Sequence, residues 1–506
     1  MTSQIKSYSM NLNDLLNKYL TDDKFNDITI TGLSLDSRSI TNNELFIAVK
    51  GETVNGIEFI NNAIEQGAAA VVWESDKTVD AIKINWRKTS SNIEVPIIAV
   101  ENLSQLIGEL ADSFYDNPSE HISVCGITGT NGKTSCADFI AQTMSVDGPC
   151  GLMGTLGSGL YPELKETGYT TPDAISCHKW LANIESNKAQ FAVMEVSSHA
   201  LTQGRINGIR FDSAVFTNLS RDHLDFHNDM ETYASAKFKL FKSIGLKNAV
   251  INTDDEVGRN IADKLDSHIH CIRYGLNKTF NPDVVGSNVV LDQHGLSMEV
   301  STPWGEGQFS SPVIGDFNAS NLLATLSVML LQGVTFDDAI KRLTMIKSVA
   351  GRMQRFGEEN TPLVVVDFAH TPDALEQALT SLRQHTENNL WCVFGCGGDR
   401  DKGKRSLMGA IAGKQADYVV LTNDNPRSEN AEKIIQDIKV GIEGCDNLIV
   451  EQDRHSAIHF AITKAKVGDV VLIAGKGHEN YQLIGDTKSP FNDAEEVKQQ
   501  LEALAG

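Results

Sequence analysis

From about residue 122 onward, short apolar runs recur along the chain, and each is followed by a polar or glycine-rich turn and then by a helical period. Uninterrupted apolar runs of this length are typical of strands that are buried on both faces, as in parallel sheets with helical crossovers. The pattern therefore predicts an α/β fold built on a parallel sheet. The predicted strands are 122–127, 191–196, 213–217, 363–366, 391–394, 418–421 and 470–474.

The first hundred residues have a different pattern, with short strands predicted at 44–49 and 68–73 between helical stretches, which indicates a small α/β domain. Segment 251–307 has the pattern of a shorter, partly antiparallel region, and a second boundary is predicted near 349–356. A chain of 506 residues is too long for a single hydrophobic core. The predicted domains are 1–102, 103–348 and 349–506.

Composition narrows the class of protein. The formal net charge of -22 argues against nonspecific binding of nucleic acid, because a phosphate backbone would be repelled. Eight cysteines without a CxxC pair indicate reduced thiols and no zinc site. The N-terminus lacks the apolar core of a signal peptide, and no apolar run approaches the roughly twenty residues of a membrane span. We expect a cytoplasmic protein without membrane insertion.

A glycine-rich segment, Thr128-Gly129-Thr130-Asn131-Gly132-Lys133-Thr134, follows strand 122–127 and precedes a helix predicted to begin near Ser135. Such a loop can surround phosphate with backbone N–H groups, while its lysine reaches terminal phosphates and its threonine binds Mg²⁺. Standard Walker spacing would require a glycine where Ile127 stands, so this loop is a variant. A chance turn is the alternative. The candidate ATP-phosphate ligands are Gly129, Thr130, Asn131, Gly132, Lys133, Thr134 and Ser135.

Two polar residues follow predicted strands at the same sheet edge. Glu195 interrupts the apolar run that begins at 191, and a buried carboxylate is costly unless it is paired or bound to metal. It is therefore a candidate Mg²⁺ ligand, the alternative being a strand-end side chain that reaches solvent. His223 follows strand 213–217 and is similarly placed.

Lys237 lies on the apolar face of a predicted helix, because positions 233, 236, 237, 240 and 241 share that face and Lys239 does not. A buried lysine loses proton affinity and becomes a nucleophilic amine. Such an amine can capture CO₂ as a carbamate, which would behave as a carboxylate toward Mg²⁺. The alternative is a lysine whose ammonium reaches solvent.

Several motifs together resemble the Mur ligase family over nearly the whole chain. They are 128–134, 195–199, 217–225, 315–321 and 351–353, and two more, 35–38 and 367–375, resemble the member that adds the third peptide residue. The resemblance implies an α/β, three-domain architecture. Its N-terminal domain 1–102 would bind the UDP-substrate. The central P-loop parallel-sheet domain 103–348 would bind ATP, and the C-terminal Rossmann-like domain 349–506 would bind the amino acid.

The resemblance also implies a reaction. ATP would phosphorylate the terminal carboxylate of UDP-N-acetylmuramoyl-L-alanyl-D-glutamate, and the amine of an incoming amino acid would displace the phosphate. In the family the lysine that matches Lys237 is carbamylated. The implied catalytic residues are Lys133, Glu195, His223 and Lys237, and the implied Mg²⁺ ligands are Thr134, Glu195, His223 and the Lys237 carbamate. The chain is expected to be a monomer that acts on small molecules.

The resemblance also implies which residues contact the substrates. The uridine end would lie on Leu35, Ser37, Glu52, Thr53 and Val54. The muramoyl-dipeptide would lie on Tyr169, Thr170, Thr171, Ser197, Gln203 and Arg205, where Tyr169 replaces the Asn of some relatives. Adenine and ribose would lie on Asn321, Arg352, Asp367 and His370.

The tetrapeptide Asp424-Asn425-Pro426-Arg427 resembles the signature of members that use meso-diaminopimelate. The guanidinium of Arg427 can bind the distal carboxylate of diaminopimelate, whereas the amino acid lysine has no distal carboxylate. The implied pocket consists of Arg400, Asp424, Asn425, Pro426, Arg427, Gly475 and Glu479, with Glu479 on the distal ammonium. The alternatives are ordinary turn chemistry, L-lysine as acceptor, a folylpolyglutamate synthetase and a P-loop regulatory ATPase.

Overall fold

The computed structural model describes residues 6–51, 54–75, 84–357, 360–444 and 446–505. It contains two compact units, which are described separately. The first comprises Met1–Lys133, Met144–Ile251 and Asp255–Ile272, and the second comprises Thr134–Thr143, Asn252–Asp254 and Arg273–Gly506. No helix in the described part of the chain is long and apolar enough to cross a membrane.

A five-stranded sheet forms the beginning of the first unit. Two of its strands were predicted, one at 44–49 and one at 68–73, which begins two residues before the observed strand. Its order is Gly32–Ser34, Glu44–Ala48, Ala70–Ser75, Glu94–Glu101 and Ile84–Lys88, and only the last strand is antiparallel to its neighbour. A strand pair, Met10–Asn11 with Thr29–Ile30, precedes it. The helices are Leu12–Leu16, Ile60–Glu65 and Leu103–Phe114, with 3₁₀ turns at Asp23–Asp27, Gly56–Phe59 and Pro118–Glu120.

The larger sheet of the first unit is parallel at its centre. Its strands in this unit lie in the order Glu163–Lys165, Gly157–Leu160, Cys150–Gly154, Phe191–Glu195, Ser123–Thr128, Ser213–Phe216 and Asn248–Asn252. The first two form an antiparallel edge. The helices are Ala174–Ser186, Ser198–Thr202, Leu224–His227, Met230–Phe238 and Glu256–Ala262, with a 3₁₀ turn at Lys239–Lys242. Because the three central strands are parallel, Thr128, Glu195 and Phe216 end at one edge.

The second unit begins with the antiparallel region that the sequence predicts near 251–307. Strands Val284–Asp292, Gly295–Thr302 and Gly305–Ser311 form a meander, and the end of strand His270–Gly275 pairs in parallel with its first strand. Helices Phe317–Leu331 and Phe336–Thr344 follow, and a 3₁₀ turn spans Lys278–Phe280.

A six-stranded sheet completes the second unit. Its order is Gln354–Phe356, Leu363–Asp367, Val470–Ala474, Leu390–Phe394, Tyr418–Leu421 and Leu448–Val450, and only the first strand is antiparallel. Val364 and Val366 pack into one core while Leu363 and Val365 pack into the other, so both faces are covered. The helices are Pro372–Arg383, Gly403–Gln415, Ala431–Lys439, Arg454–Lys464 and Asp493–Ala505, and a hairpin spans Tyr481–Ile484 and Thr487–Pro490.

All seven predicted strands of the parallel sheets are present, with bounds within one residue of the predicted ones. The helix after the glycine-rich loop was predicted too late. It spans Lys133–Met144 and so begins two residues before Ser135. Gly132, with φ of +84°, is the last residue with a non-helical conformation, and the helix can begin directly after it.

A buried ion pair attaches the last helix to the second sheet. Arg454 and Asp493 are both fully buried, and the guanidinium Nε and one terminal nitrogen donate to the two carboxylate oxygens at 2.7 Å each. The same guanidinium donates to the carbonyl of Ala474 at 3.1 Å, where a central strand ends. Such bidentate geometry satisfies both charges inside the protein.

Removing one partner should therefore destabilise the fold. Asp493→Ala leaves the Arg454 charge buried without its carboxylate, and we expect the free energy of unfolding to fall by about 3–5 kcal/mol. Glu495→Ala, in the first turn of the same helix but exposed, should cost less than about 1 kcal/mol. Urea denaturation followed by circular dichroism measures both. Equal losses would show that the ion pair does not hold the helix.

Candidate functional site

The glycine-rich loop is held by the segment after strand Ser213–Phe216. The backbone N–H of Asn131 donates to the side-chain oxygen of Asn218 at 2.9 Å, and Thr217 Oγ1 donates to the Asn131 carbonyl at 2.6 Å. Gly129 has φ of +154°, and a Cβ there would lie 1.8 Å from Thr217 Oγ1. Only glycine therefore allows the loop to approach its neighbour so closely.

Two lysine side chains share one carbonyl oxygen of this loop. Lys133 Nζ donates to the carbonyls of Gly129 and Thr130 at 2.9 and 2.8 Å, and Lys237 Nζ donates to the same Gly129 carbonyl at 2.7 Å. Burial, together with the positive charge of Lys133, lowers the pKa of Lys237 to about 6. Near pH 7 the Lys237 side chain is therefore largely a neutral amine.

The position of Lys237 on the buried face of its helix is confirmed. Tyr233, Ala236, Lys237, Leu240 and Phe241 are all buried, whereas Lys239 is exposed. Lys237 is 1 % exposed, so the alternative of an ammonium that reaches solvent is wrong. Its Nζ lies 4.4 Å from the centroid of the Tyr233 ring. The Tyr233 hydroxyl in turn lies 3.2 Å from Thr130 Oγ1, so the helix contacts the loop at two points.

Glu195 is buried at the end of strand Phe191–Glu195, as predicted, and does not reach solvent. Its carboxylate accepts the backbone N–H of Thr155 at 2.8 Å and the Thr155 hydroxyl at 3.3 Å. A Cβ on Gly154 would lie 2.2 Å from Glu195 Oε1, so the neighbouring strand must carry glycine there. The sequence analysis missed Thr155, because the strand before it, Cys150–Gly154, contains two glycines and was not predicted.

His223 belongs to a cluster of rings between two short helices. Its side chain is 47 % exposed, and its Nε2 lies 3.4 Å from an oxygen of Asp222. Its ring centroid is 5.0 Å from that of His199 and 6.1 Å from that of Tyr233. His227 stacks on the same tyrosine at 5.0 Å, and burial together with the neighbouring histidines lowers the pKa of His227. His223 is thus connected to the Lys237 helix through Tyr233.

The candidates for the muramoyl-dipeptide meet beside Glu195. Thr171 Oγ1 donates to the Glu195 carbonyl at 2.8 Å and accepts the Ser197 N–H at 3.1 Å. The Thr171 carbonyl accepts a bond from Arg205 at 2.8 Å, and the guanidinium lies 6.0 Å from the centre of the Tyr169 ring. Thr170 Oγ1 lies 3.0 Å from Thr155 Oγ1, and Gln203 caps the short helix Ser198–Thr202.

The uridine candidates lie in the smaller sheet region. Leu35 packs against the hydrophobic core there, Ser37 is buried and Val54 is exposed. Glu52 and Thr53 lie outside the described residues.

In the second unit, three of the adenine and ribose candidates surround Phe368. The Arg352 guanidinium lies 4.9 Å from the centre of this ring, and His370 Nδ1 lies 2.9 Å from the Phe368 carbonyl oxygen. The Asp367 carboxylate accepts two backbone N–H groups, and burial raises its pKa. Asn321 is buried in helix Phe317–Leu331 and donates to Asn318, so its amide is bonded within its own helix.

The acceptor candidates converge where three parallel strands of the second unit end. Asn425 Nδ2 donates to Glu479 Oε2 at 2.9 Å, and a Cβ on Gly475 would lie 2.8 Å from the Asp424 carboxylate. Pro426, which stands between Asn425 and Arg427 in the sequence, is buried. Arg427 donates to the Gly398 carbonyl at 2.9 Å. A Cβ on Gly397 would lie 2.8 Å from Arg427 and 3.7 Å from Arg400, so these two arginines flank that glycine.

Lys476 is a member of this cluster that the sequence analysis did not identify. It is fully buried, and its Nζ donates to Asn425 Oδ1 at 3.1 Å and to Glu479 Oε2 at 3.0 Å. The lysine therefore orients both the amide and the carboxylate. Its place two residues after the end of strand Val470–Ala474 was the available signal, but a lysine between two glycines suggests an exposed turn.

Family models match three stretches of the chain. Residues 29–115 match the model described as Mur ligase family, catalytic domain. Residues 127–329 match the Mur ligase middle domain, and residues 351–477 match the model described as Mur ligase, glutamate ligase domain.

Curated relatives and solved structures agree with these matches. The chain is 47% identical over 498 residues to UDP-N-acetylmuramoyl-L-alanyl-D-glutamate--2,6-diaminopimelate ligase of Coxiella burnetii, covering 98% of this chain and 99% of the relative. The ligase of the same name from Pseudomonas aeruginosa is 44% identical, with 94% and 96% covered. A solved structure titled with this ligase name has a TM-score of 0.74 at 35% identity, with 98% and 100% covered. The fold is also shared with the MurF ligase from Thermotoga maritima in complex with ADP, with a TM-score of 0.60 at 21% identity and with 93% and 97% covered.

The importance of the close contact between Gly129 and Thr217 can be tested by comparing alanine substitutions at Gly129 and at a second glycine with a similar φ. Gly129→Ala places a methyl group against Thr217, and we expect ATP binding to weaken by roughly tenfold or more because the loop must move. Gly148→Ala is the control, since Gly148 has φ of +156° but open space around its Cβ position. Calorimetric titration with ATP measures both variants. Unchanged affinity in Gly129→Ala would show that loop geometry does not determine binding.

Proposed function

This chain belongs to the Mur ligase family, and from that membership we propose that it joins meso-diaminopimelate to UDP-N-acetylmuramoyl-L-alanyl-D-glutamate in cell-wall precursor synthesis, using ATP. The observation that carries the proposal is the cluster of Asn425, Arg427 and Glu479, in a chain similar over 98% of its length to a 2,6-diaminopimelate ligase. The three domains 1–102, 103–348 and 349–506 would bind the UDP-substrate, ATP and the amino acid. The cytoplasmic location and the monomeric state stay predictions.

The reaction has two steps. The terminal carboxylate of the UDP-substrate attacks the γ-phosphorus of ATP, which releases ADP and leaves an acyl phosphate. The amine of diaminopimelate then attacks the acyl carbon, loses a proton and expels inorganic phosphate as the amide forms. In the first step Lys133 would exchange its bonds to the loop carbonyls for bonds to phosphate oxygens, which become more negative as the γ-phosphoryl group is transferred.

A carbamate on Lys237 would add an anionic oxygen ligand to the side chains that could hold Mg²⁺. The described residues contain no group of three His, Cys, Asp or Glu side chains arranged for a metal. By family resemblance Thr134, Glu195, His223 and a Lys237 carbamate would hold Mg²⁺. The hydroxyl, the carboxylate and the carbamate of this set supply the oxygen ligands that Mg²⁺ prefers. Bound Mg²⁺ would neutralise phosphate oxygens and align them for transfer.

The buried amine of Lys237 supports the carbamate. A neutral amine adds to CO₂ and loses one proton, and the product is an anion at the end of the lysine side chain. The low pKa of about 6 keeps the amine neutral at physiological pH, which is the state that reacts. The carbamate anion would also lie near the Lys133 ammonium group and attract it, since both lysine side chains bond the same Gly129 carbonyl.

The remaining candidates divide between the substrates. The uridine end would contact Leu35, Ser37, Glu52, Thr53 and Val54, and the muramoyl-dipeptide would contact Tyr169, Thr170, Thr171, Ser197, Gln203 and Arg205. Adenine and ribose would contact Asn321, Arg352, Asp367 and His370. These assignments rest on the resemblance. The clustering of Thr171, Ser197 and Arg205 supports the assignment of the muramoyl-dipeptide contacts.

Charge explains why diaminopimelate rather than lysine would be the acceptor. The distal end of diaminopimelate carries both a carboxylate and an ammonium group, which match Arg427 and Glu479. Lysine would bring only the ammonium group into a pocket that contains Arg427 and the buried Lys476, and both cations would repel it.

The choice of acceptor is the direct test of the proposed function. Purified protein with ATP, Mg²⁺ and the UDP-muramoyl-dipeptide should release phosphate with meso-diaminopimelate, and kcat/KM for L-lysine should be lower by roughly 100-fold or more. Arg427→Ala should lose most of its activity with diaminopimelate and little of its residual activity with lysine. Equal turnover of both acceptors by the unmodified protein would contradict the assignment.

The carbamate makes a second, spectroscopic prediction. Protein equilibrated with ¹³C-labelled bicarbonate should show a carbamate carbon signal at pH 8, and the signal should fall below pH 6 as Lys237 becomes protonated. Lys237→Ala should lose the signal and roughly 100-fold or more of the ligation rate, and short carboxylates should restore part of that rate.

Lys239→Ala is the matched control, because Lys239 directly follows the same helix, in the 3₁₀ turn Lys239–Lys242, but is exposed. It should keep both the signal and the activity. A fully active Lys237→Ala variant would remove the carbamate from the mechanism.

A further inference from the structure

Two loops of the second unit carry the arginines of the acceptor cluster. Arg400 lies in the loop after strand Leu390–Phe394, and Arg427 lies in the loop after strand Tyr418–Leu421. The loops bond each other directly, because the Gly398 N–H donates to the Asn425 carbonyl and the Arg427 guanidinium donates to the Gly398 carbonyl, both at 2.9 Å. The distance between the two guanidinium groups therefore depends on how these loops are held together.

Glu429 holds both loops. One of its oxygens, Oε1, accepts the Asp399 N–H at 2.6 Å and a guanidinium N–H of Arg405 at 2.9 Å. The other oxygen accepts a second Arg405 N–H at 3.1 Å and lies 3.3 Å from Lys402 Nζ. Glu429 follows Arg427 by two residues and Asp399 precedes Arg400 by one, so the carboxylate acts on both arginine-bearing segments at once.

Arg405 provides a rigid anchor for this carboxylate. Its side chain is fully buried in helix Gly403–Gln415 and donates to a second carboxylate, that of Asp437, at 2.9 Å. A buried guanidinium with two carboxylate partners has little freedom to move. The bond to Arg405 also lowers the pKa of Glu429 to about 2, so the carboxylate is ionised at every pH at which the protein would work.

The backbone of both loops needs such a restraint. Asp399 has φ of +54° and Arg427 has φ of +52°, a conformation that non-glycine residues keep only when their surroundings impose it. The Asp399 carboxylate accepts the N–H and the hydroxyl of Ser428 at 3.1 and 2.7 Å, which adds a second connection between the loops. Without these bonds, both segments would relax toward more common conformations.

We propose that Glu429 is a positioning residue that sets the spacing of Arg400 and Arg427 and thereby the selectivity for an acceptor with a distal carboxylate. The inference rests on the proposed function, because it assigns these arginines to the acceptor. Glu429 does not itself contact the acceptor in this account. It acts through the Asp399 N–H and through the chain that leads back to Arg427.

The test compares the two carboxylates that bond Arg405. Glu429→Gln replaces one carboxylate oxygen by an NH₂ donor. In one orientation this NH₂ group faces the Asp399 N–H, and in the other it faces the Arg405 guanidinium and Lys402, so one donor always loses its acceptor. We expect its KM for meso-diaminopimelate to rise by roughly tenfold or more, with kcat and the KM values for ATP and the UDP-muramoyl-dipeptide within about threefold of the unmodified protein. The preference for diaminopimelate over L-lysine should fall by a similar factor.

Asp437→Asn is the matched control, because Asp437 bonds Arg405 and, among the described residues, no residue of either loop. It should leave the acceptor KM unchanged while the unfolding temperature falls in both variants. If Glu429→Gln does not fold, Asp399→Asn weakens the second connection between the same loops, the bonds from Ser428 to the Asp399 carboxylate. Asp399 is exposed and asparagine tolerates its positive φ, and this variant should also raise the acceptor KM.

An acceptor KM that is unchanged in Glu429→Gln, or equally raised in Asp437→Asn, would overturn the positioning role while leaving the proposed function in place. Absence of diaminopimelate-dependent turnover in the unmodified protein would instead overturn the proposed function, and the role of Glu429 with it.

Discussion

Parallel strands all end at the same edge of their sheet, and this constraint determines where the chemistry of this protein can be. In the first unit, strands ending at Thr128, Glu195 and Phe216 are direct neighbours, so the glycine-rich loop, the buried carboxylate and the segment that supports the loop leave the sheet side by side. The interior of the sheet is apolar. Polar groups can therefore concentrate only at this edge without a large cost of burial.

The parallel strands of the second unit also end at one edge, and a different set of charged side chains lies there. Buried arginines stand behind its functional edge, where Arg405 bonds the carboxylates of Glu429 and Asp437 and Arg454 bonds that of Asp493. Each buried charge has a partner, which is the condition under which ionised groups can stay inside a protein. The loops between them are short and held at several points. Under the proposed function, a small acceptor with two charges at its distal end would fit a rigid pocket of this kind better than a flexible one.

Much of the site could be predicted from local pattern. Lys237 was identified because helical periodicity placed it on an apolar face, and Glu195 because a carboxylate interrupted an apolar strand. Both are buried in the structure. Thr155, Lys476 and Glu429 had no comparable signal, because each one follows glycines or lies in a polar turn where burial is not encoded by periodicity. Their importance comes from what they contact, and those partners are distant in the sequence.

The sequence by itself determined seven strands of the parallel sheets to within one residue, the α/β class, the glycine-rich loop and the burial of Lys237, because these depend on neighbours along one strand or one helix turn. Only the tertiary structure decided the order of the strands. Strand Val470–Ala474 comes last in its sheet along the chain but lies between Leu363–Asp367 and Leu390–Phe394. That insertion brings Lys476 and Glu479 to Asn425. Local periodicity cannot specify it, because strand order depends on how whole faces pack and which crossovers close without strain.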